Sequence, residues 1–276
     1  MILYDCLYPH DRAFLPRKPL PGMVDVLVDG QRFYAEKPNT GGARDLSRYS
    51  ADEARKWPNL SPGSFVVVNI ESVPRPDPTP DRPHRILRSD IRLDNARDIA
   101  ADAAFIRRTL TDVRAGAQGA SVALYGILPT GFNVLNSVIK SDTHEHRIAQ
   151  AANDVLAIEF GDCLDALCPS LYTNNPDPKL WRRFATHQHN ECERIGRVIG
   201  KSLPIRPFVS PEIHPSAGGG FLSVTDFGNQ IRHCVRLGCD GVVCWYSGKA
   251  TLATLQPFMD EASAIAKDLM LWLGTP

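Results

Sequence analysis

An amide and a carboxyl group lie at the end of one apolar segment of the sequence. Asn69 and Glu71 close the strand that we predict over residues 65–70. Since residues i and i+2 of a strand point to the same side, roughly 6–7 Å apart along the chain, both side chains would face one cavity. Burial raises the pKa of a carboxyl group, so Glu71 is a candidate general acid near neutral pH. An ion pair between Glu71 and a nearby cation such as Arg75 fits the same spacing.

The elements that would position these groups alternate between two periodicities. Short β-branched runs predict strands over residues 2–7, 24–28, 65–70, 122–127, 166–172, 205–209 and 241–245. Apolar residues at 3- and 4-residue spacing predict helices over residues 96–115, 178–201, 224–237 and 252–273. Several strands are apolar at every position, which is typical of a parallel sheet covered on both faces. The alternation indicates a parallel barrel or a doubly wound sheet.

The barrel is the architecture that we prefer, as one (β/α) domain over residues 1–276. No G-x-G-x-x-G sequence follows a strand, which disfavours a dinucleotide-binding sheet. Proline recurs through residues 73–83 and predicts a stiff loop after the strand that carries Glu71. In a barrel, that loop and the glycine-rich residues 216–220 would lie over the functional face.

Composition and missing motifs exclude several classes of function. Lys plus Arg equals Asp plus Glu, at 31 each, so no net positive charge favours nucleic acid or an anionic membrane. No apolar run approaches the ~20 residues needed to span a bilayer, and no signal peptide is visible, so we expect a cytoplasmic location. H-E-x-x-H and G-x-S-x-G are absent, so we expect neither a zinc site nor a serine esterase. We expect no cofactor.

The seven cysteines do not form a disulfide pattern. Their number is odd, and they lack repeated short spacings. Cys168 and Cys244 fall inside apolar runs, where a thiol behaves as a small hydrophobic group. We therefore predict that all seven thiols are free.

Four motifs, in order along almost the whole chain, resemble the hyaluronidase family of glycoside hydrolases. They are V-V-V-N-I-E-S at 66–72, Y-G-I-L-P at 125–129, L-C-P-S-L-Y at 167–172, and F-L-S-V-T-D-F with L-G-C-D-G-V-V-C-W at 221–227 and 237–245. The resemblance implies a distorted parallel barrel of seven or eight strands and cleavage at N-acetylhexosamine. It also implies an oligosaccharide or polysaccharide as the binding partner.

The same resemblance implies roles for individual residues. Glu71 would be the general acid and base, and the substrate's own acetamido group would attack the anomeric carbon, so no protein nucleophile is needed. Tyr172 and Trp245 would line the sugar subsite, with Tyr125 as a further candidate. An aromatic ring suits such a subsite because a pyranose has an apolar face. Since Trp245 ends an apolar strand, a place in the core fits its position equally well.

Asn69 departs from the family pattern, which has Asp at this position. A neutral amide does not stabilise a cationic intermediate as a carboxylate does. One outcome is an inactive barrel that only binds glycans. The other is a site similar to that of the endo-β-N-acetylglucosaminidases, whose N-x-E pair resembles Asn69-Ile70-Glu71 and whose Asn assists the acetamide.

Glu212 is a second carboxyl group that follows a predicted strand. It could act as the nucleophile of an ordinary retaining glycosidase. Its place after Pro211, in a segment with His214, favours a residue at the rim of the substrate site.

Overall fold

The structure is a computed structural model, which describes residues 2–7, 21, 23–29, 33–38, 44–56, 64–70, 72–79, 82–86, 96–117, 119–130, 144–246 and 250–272. Its strands are β1 Ile2–Leu7, β2 Val24–Asp25, β3 Leu27–Asp29, β4 Tyr34–Glu36, β5 Arg44–Tyr49, β6 Phe65–Val68, β7 Ser72–Thr79, β8 Arg82–Ile86, β9 Ser121–Tyr125, β10 Ala166–Cys168, β11 Phe208–Val209 and β12 Gly241–Tyr246. Its helices are α1 Ala51–Arg55, α2 Ala96–Gly116, α3 His144–Phe160, α4 Pro178–Ile199, α5 Val224–Arg236 and α6 Leu252–Trp272. The chain divides into two compact units.

The first unit comprises Met1–Val26, Cys168–Cys192 and Pro204–Pro276, and it contains a four-stranded sheet in the order β11-β12-β1-β2. The three neighbouring pairs of strands are all parallel. β12 lies inside this sheet, and its residues from Gly241 to Cys244 are buried. A run that is apolar at successive positions is stable here because both of its faces are covered.

The second unit comprises Leu27–Leu167 and Glu193–Leu203, and its four-stranded sheet has the order β10-β9-β6-β3. β6 pairs in parallel with both β3 and β9, and all four of its residues are buried. The predicted parallel α/β fold is therefore present in each unit. In the described part of the chain neither sheet closes on itself, so the complete barrel over residues 1–276 stays a prediction.

The predicted helices all form, with ends within two residues of the predicted ones. The predicted apolar stripe of α2 is buried: Ile99, Ala103, Ile106, Leu110 and Val113 are at most 3% exposed. In α5 the buried stripe contains Phe227, Ile231 and Cys234, whereas Val235 is only half-buried. Ser223 caps α5, as its hydroxyl accepts a hydrogen bond from the backbone N–H of Asp226 at 3.0 Å. No helix in the described ranges is long and apolar enough to cross a membrane.

The prediction of a stiff loop over residues 73–83 is wrong. β7 and β8 form a two-stranded antiparallel hairpin that includes most of these residues. Its register is interrupted between Pro74 and Thr79. Proline lacks an N–H donor but keeps its carbonyl acceptor, so it is tolerated in a short ladder with unpaired edges. Proline here interrupts the pairing without preventing it.

Several predicted strands are longer than the observed ones. The strand predicted over residues 24–28 is divided into β2 and β3 by Val26, and those predicted over 65–70 and 166–172 end at Val68 and Cys168. The residues beyond Cys168 still follow an extended path, because Ser170 forms an isolated parallel bridge with Phe208. The predicted strands thus extend past the last regular ladder pairs.

Candidate functional site

Three neighbouring backbone segments of the first unit bring Tyr172, Glu212 and Trp245 to the same edge of the sheet. Val209 pairs with Cys244 in parallel, so Trp245 follows β12 at the level of Ser210. Thr173 forms a parallel bridge with Ile213, so Tyr172 lies one residue earlier, at the level of Glu212. The carboxyl ends of parallel strands are where α/β proteins place their ligand sites.

These side chains line a cavity of about 180 Å³. Its lining residues are Tyr172, Ser210, Glu212, His214, Pro215, Trp245 and Tyr246. This volume is many times the roughly 10–15 Å³ that, on the same measure, admits one water. Aromatic walls with a few polar groups are typical of a site for a small organic ligand.

The aromatic wall is fixed by packing behind it. Trp245 is half-buried, and its ring centroid lies 6.2 Å from that of the buried Phe208. The ring of Tyr246 lies 5.7 Å from that of Phe221. The Tyr246 hydroxyl accepts a hydrogen bond from the backbone N–H of Ala250 at 2.9 Å. Two rings held in this way present a preformed surface to a ligand.

Glu212 is the acidic member of the cavity wall and is half-buried. Its backbone N–H donates to the hydroxyl of the buried Ser210 at 3.1 Å, and it forms an antiparallel bridge with Phe221. Burial raises the pKa of Tyr246, the hydrogen bond from Ala250 opposes this effect, and the negative charge of Glu212 raises that pKa further. The negative charge of Glu212 therefore disfavours ionisation of the Tyr246 hydroxyl.

A glycine-rich turn closes the segment that carries Glu212 and His214. A 3₁₀ turn at Pro215–Ala217 is followed by Gly218, Gly219 and Gly220, with φ angles of 101°, 67° and 90°. The N–H of Ile213 then donates to the carbonyl of Gly220 at 2.8 Å. Three successive positive φ angles favour glycine strongly. The predicted glycine-rich loop is thus an ordered turn beside the cavity.

Asn69 and Tyr125 lie in the second unit. Val68 pairs with Leu124 in parallel, so Asn69 follows β6 at the level of Tyr125, the last residue of β9. Both side chains are half-buried and have interaction partners. Gly126 comes next, with a φ of 67° that turns the chain immediately after Tyr125. Glu71 lies outside the residues that the structure describes.

Sequence reasoning missed four lining residues, Ser210, His214, Pro215 and Tyr246. Ser210, Glu212 and His214 are spaced two residues apart after β11, and this alternation was the available signal. Tyr246 adjoins Trp245 and gave no separate signal. Within the described ranges no group of three or more His, Cys, Asp or Glu side chains could hold a metal ion.

The fold is a parallel α/β fold with polar and aromatic side chains at the carboxyl ends of its strands. Among solved structures it is similar to bee venom hyaluronidase in a monoclinic crystal, with a TM-score of 0.62, 14% sequence identity and coverage of 96% of this chain and 98% of that chain. It is also similar to bee venom hyaluronidase in complex with a hyaluronic acid tetramer, with a TM-score of 0.57, 16% identity and coverage of 87% and 85%. No protein-family model and no curated protein sequence matches the chain. The resemblance inferred from the motifs is confirmed at the level of the fold.

Proposed function

We propose that this protein is a glycoside hydrolase that cleaves N-acetylhexosamine linkages by a substrate-assisted, retaining mechanism. The observation that carries the proposal is the aromatic cavity of Tyr172, Trp245 and Tyr246 at the carboxyl ends of parallel strands. The similarity in fold to a hyaluronidase over nearly the whole chain supports it. An aromatic face can stack on the apolar side of a pyranose, and the phenolic hydroxyls can bond to its oxygens.

In this proposal Glu71 is the general acid and Asn69 the partner of the substrate's acetamide. Glu71 protonates the glycosidic oxygen, and that bond breaks as the acetamide carbonyl oxygen bonds to the anomeric carbon. The leaving sugar departs as an alcohol. The Glu71 carboxylate then takes a proton from water, whose oxygen attacks the anomeric carbon and reopens the cyclic intermediate. Two inversions retain the configuration.

Asn69 can assist this attack by hydrogen bonding, since its carbonyl accepts and its NH₂ group donates. Its position after β6, half-buried at the level of Tyr125, is compatible with a contact to a bound ligand. A carboxylate would stabilise the cationic intermediate more strongly in a site without water. Asn69 would therefore assist by accepting a hydrogen bond from the acetamide N–H, and that proton stays on the nitrogen through both steps.

The experiment compares paired glycosides that carry either the acetamido group or a hydroxyl group at the same carbon. We expect wild type to hydrolyse only the acetamido series. Asn69→Ala should abolish turnover while leaving the fold intact. Asn69→Asp should raise hydrolysis or change the partition of product between water and an acceptor sugar. Glu71→Gln should lower turnover by about two to four orders of magnitude on poor leaving groups, and by less on activated ones.

Two results would overturn this mechanism. Comparable wild-type turnover of the hydroxyl series would show that the acetamide is not the nucleophile, and Glu212 would then be the candidate protein nucleophile. No turnover by any variant, combined with measurable oligosaccharide binding, would instead identify a catalytically inactive glycan-binding barrel.

A further inference from the structure

The charge of the cavity wall is unusual for a protein that would bind an acidic polysaccharide. Of the seven described residues that line it, Glu212 is acidic, His214 is titratable and none is Lys or Arg. Ser210 contributes a buried hydroxyl, which accepts from the Glu212 N–H. The described wall therefore carries a carboxyl group and no Lys or Arg side chain to neutralise it.

Such a wall distinguishes two kinds of amino-sugar polymer. A carboxylate accepts hydrogen bonds from the hydroxyl groups of an uncharged sugar. A polymer that alternates hexosamine with uronic acid carries a carboxylate next to each hexosamine, so its binding would bring a second carboxylate close to that of Glu212. Two like charges a few ångströms apart repel each other, and the repulsion is strong where little water lies between them. Charged groups placed against the wrong partner are a common source of specificity.

We propose that the cavity selects uncharged N-acetylhexosamine oligosaccharides over uronate-containing glycosaminoglycans, with Glu212 as the residue that determines this preference. This inference rests on the proposed function, because it names the substrate class of the same site. The hydrogen bond to Ser210 and the bridge to Phe221 hold the backbone of Glu212 in place. The carboxyl group therefore cannot leave the cavity wall through a movement of that backbone unless these contacts break.

The test measures binding, not turnover, by calorimetric titration at one fixed pH for all proteins and both probes. The probes are N-acetylchitotetraose, which is uncharged, and a hyaluronan tetrasaccharide, which carries uronate groups. The variants are wild type, Glu212→Gln, and Glu193→Gln as the matched control. Glu193 is exposed on α4 and is not one of the described lining residues, so the control removes the same charge from the chain without changing the described wall.

We expect wild type to bind the uncharged tetrasaccharide at least about tenfold more tightly. Glu212→Gln should tighten hyaluronan binding by about tenfold, which equals about 1.4 kcal/mol. It should weaken chitotetraose binding, because a neutral amide oxygen accepts weaker hydrogen bonds than a carboxylate does. Glu193→Gln should behave as wild type. Raising NaCl from 0.1 to 1 M shortens the Debye length from about 10 to about 3 Å, so salt should tighten hyaluronan binding to wild type.

The salt titration of wild type tests the inference even if Glu212→Gln fails to fold. Hyaluronan bound by wild type as tightly as chitotetraose, with no tightening by salt, would overturn the inference and leave the proposed function standing. An equal effect of Glu193→Gln and Glu212→Gln would overturn the role of Glu212. Absence of binding to both sugars by every variant would overturn the proposed function and the inference together.

Discussion

Replacing Trp245 with alanine distinguishes a ligand-binding side chain from a core side chain. Truncating a fully buried aromatic residue to alanine costs about 3–5 kcal/mol of unfolding free energy. Trp245 is half-buried and lines the cavity, and its ring centroid lies 6.2 Å from that of Phe208 in the core. We therefore expect Trp245→Ala to cost about 1–2 kcal/mol of unfolding free energy.

The effect on binding should be larger than the effect on stability. A ring that forms the wall of a cavity typically contributes about 2 kcal/mol or more to affinity. That loss corresponds to roughly a 30-fold rise in the Kd for N-acetylchitotetraose. Trp245→Phe keeps an aromatic face and should recover most of the affinity. Calorimetric titration measures the Kd, and denaturant unfolding measures the stability.

Phe227→Ala is the control with the opposite profile. Phe227 is 0% exposed, and its ring packs edge-on against Phe258 with centroids 5.7 Å apart. This variant should lose about 3–5 kcal/mol of stability and keep its Kd. A Trp245→Ala protein that matches Phe227→Ala in stability loss, with its Kd within twofold of wild type, would show that Trp245 belongs to the core and would refute the reasoning.

Two further predictions concern the glycine turn and the thiols. Gly219 has a φ of 67° with no atom within 4 Å of an added Cβ, so Gly219→Ala should be strained by backbone conformation alone, at about 1 kcal/mol net. This corresponds to a fall in Tm of about 2–4 °C. Gly219→Asn should lower the Tm less than Gly219→Ala, because Asn tolerates a positive φ. Equal Tm values for the two variants would contradict the positive φ of Gly219. Denatured protein without reductant should titrate close to seven thiols, and a count near one would indicate three disulfides. In native protein at pH 8 labelling of Cys168 should be slow, because burial raises its pKa to about 12 and the thiolate is the reactive form.

The elements with strong periodicity could be predicted from the sequence. α2 has apolar residues at 3- and 4-residue spacing over about four turns, and all the residues of this stripe are buried. β6 is apolar at every position and lies between two parallel strands. Both patterns depend on burial alone, which a single sequence records directly. The predicted free thiols are confirmed for the six cysteines whose side chains are described.

Features that depend on backbone pairing could not be predicted. β6 ends at Val68, the last residue that pairs with both β3 and β9, and β10 ends at Cys168, whereas the predicted strands continued to residues 70 and 172. The β7–β8 hairpin forms despite its prolines, since only a few of its positions require an N–H donor. Composition does not specify which positions those are.

The candidate site was predictable only in part for a similar reason. Tyr172, Glu212 and Trp245 could be predicted because each follows or ends a predicted strand and carries an aromatic or acidic side chain that can bind a sugar. Ser210 and His214 are ordinary residues in a loop. They line the cavity because each lies two positions from Glu212 in the sequence, the spacing that places side chains on the same side of an extended chain. The roles of Asn69, Glu71 and Tyr125 stay predictions.

The glycine turn beside the cavity is a position where the chain can accept insertions. The bridge between Glu212 and Phe221 brings the two stems of the turn together, and the intervening Gly218 and Gly220 are exposed. Once the stems are paired, lengthening the connection costs little, since each doubling of a loop adds only about 0.6 kcal/mol of closure entropy. Insertions at this point would leave the strand pairing unchanged and add side chains beside Glu212 and His214. Chains that share this sheet can therefore diverge in ligand preference through one short segment, and a designer who wishes to extend the binding surface would begin there.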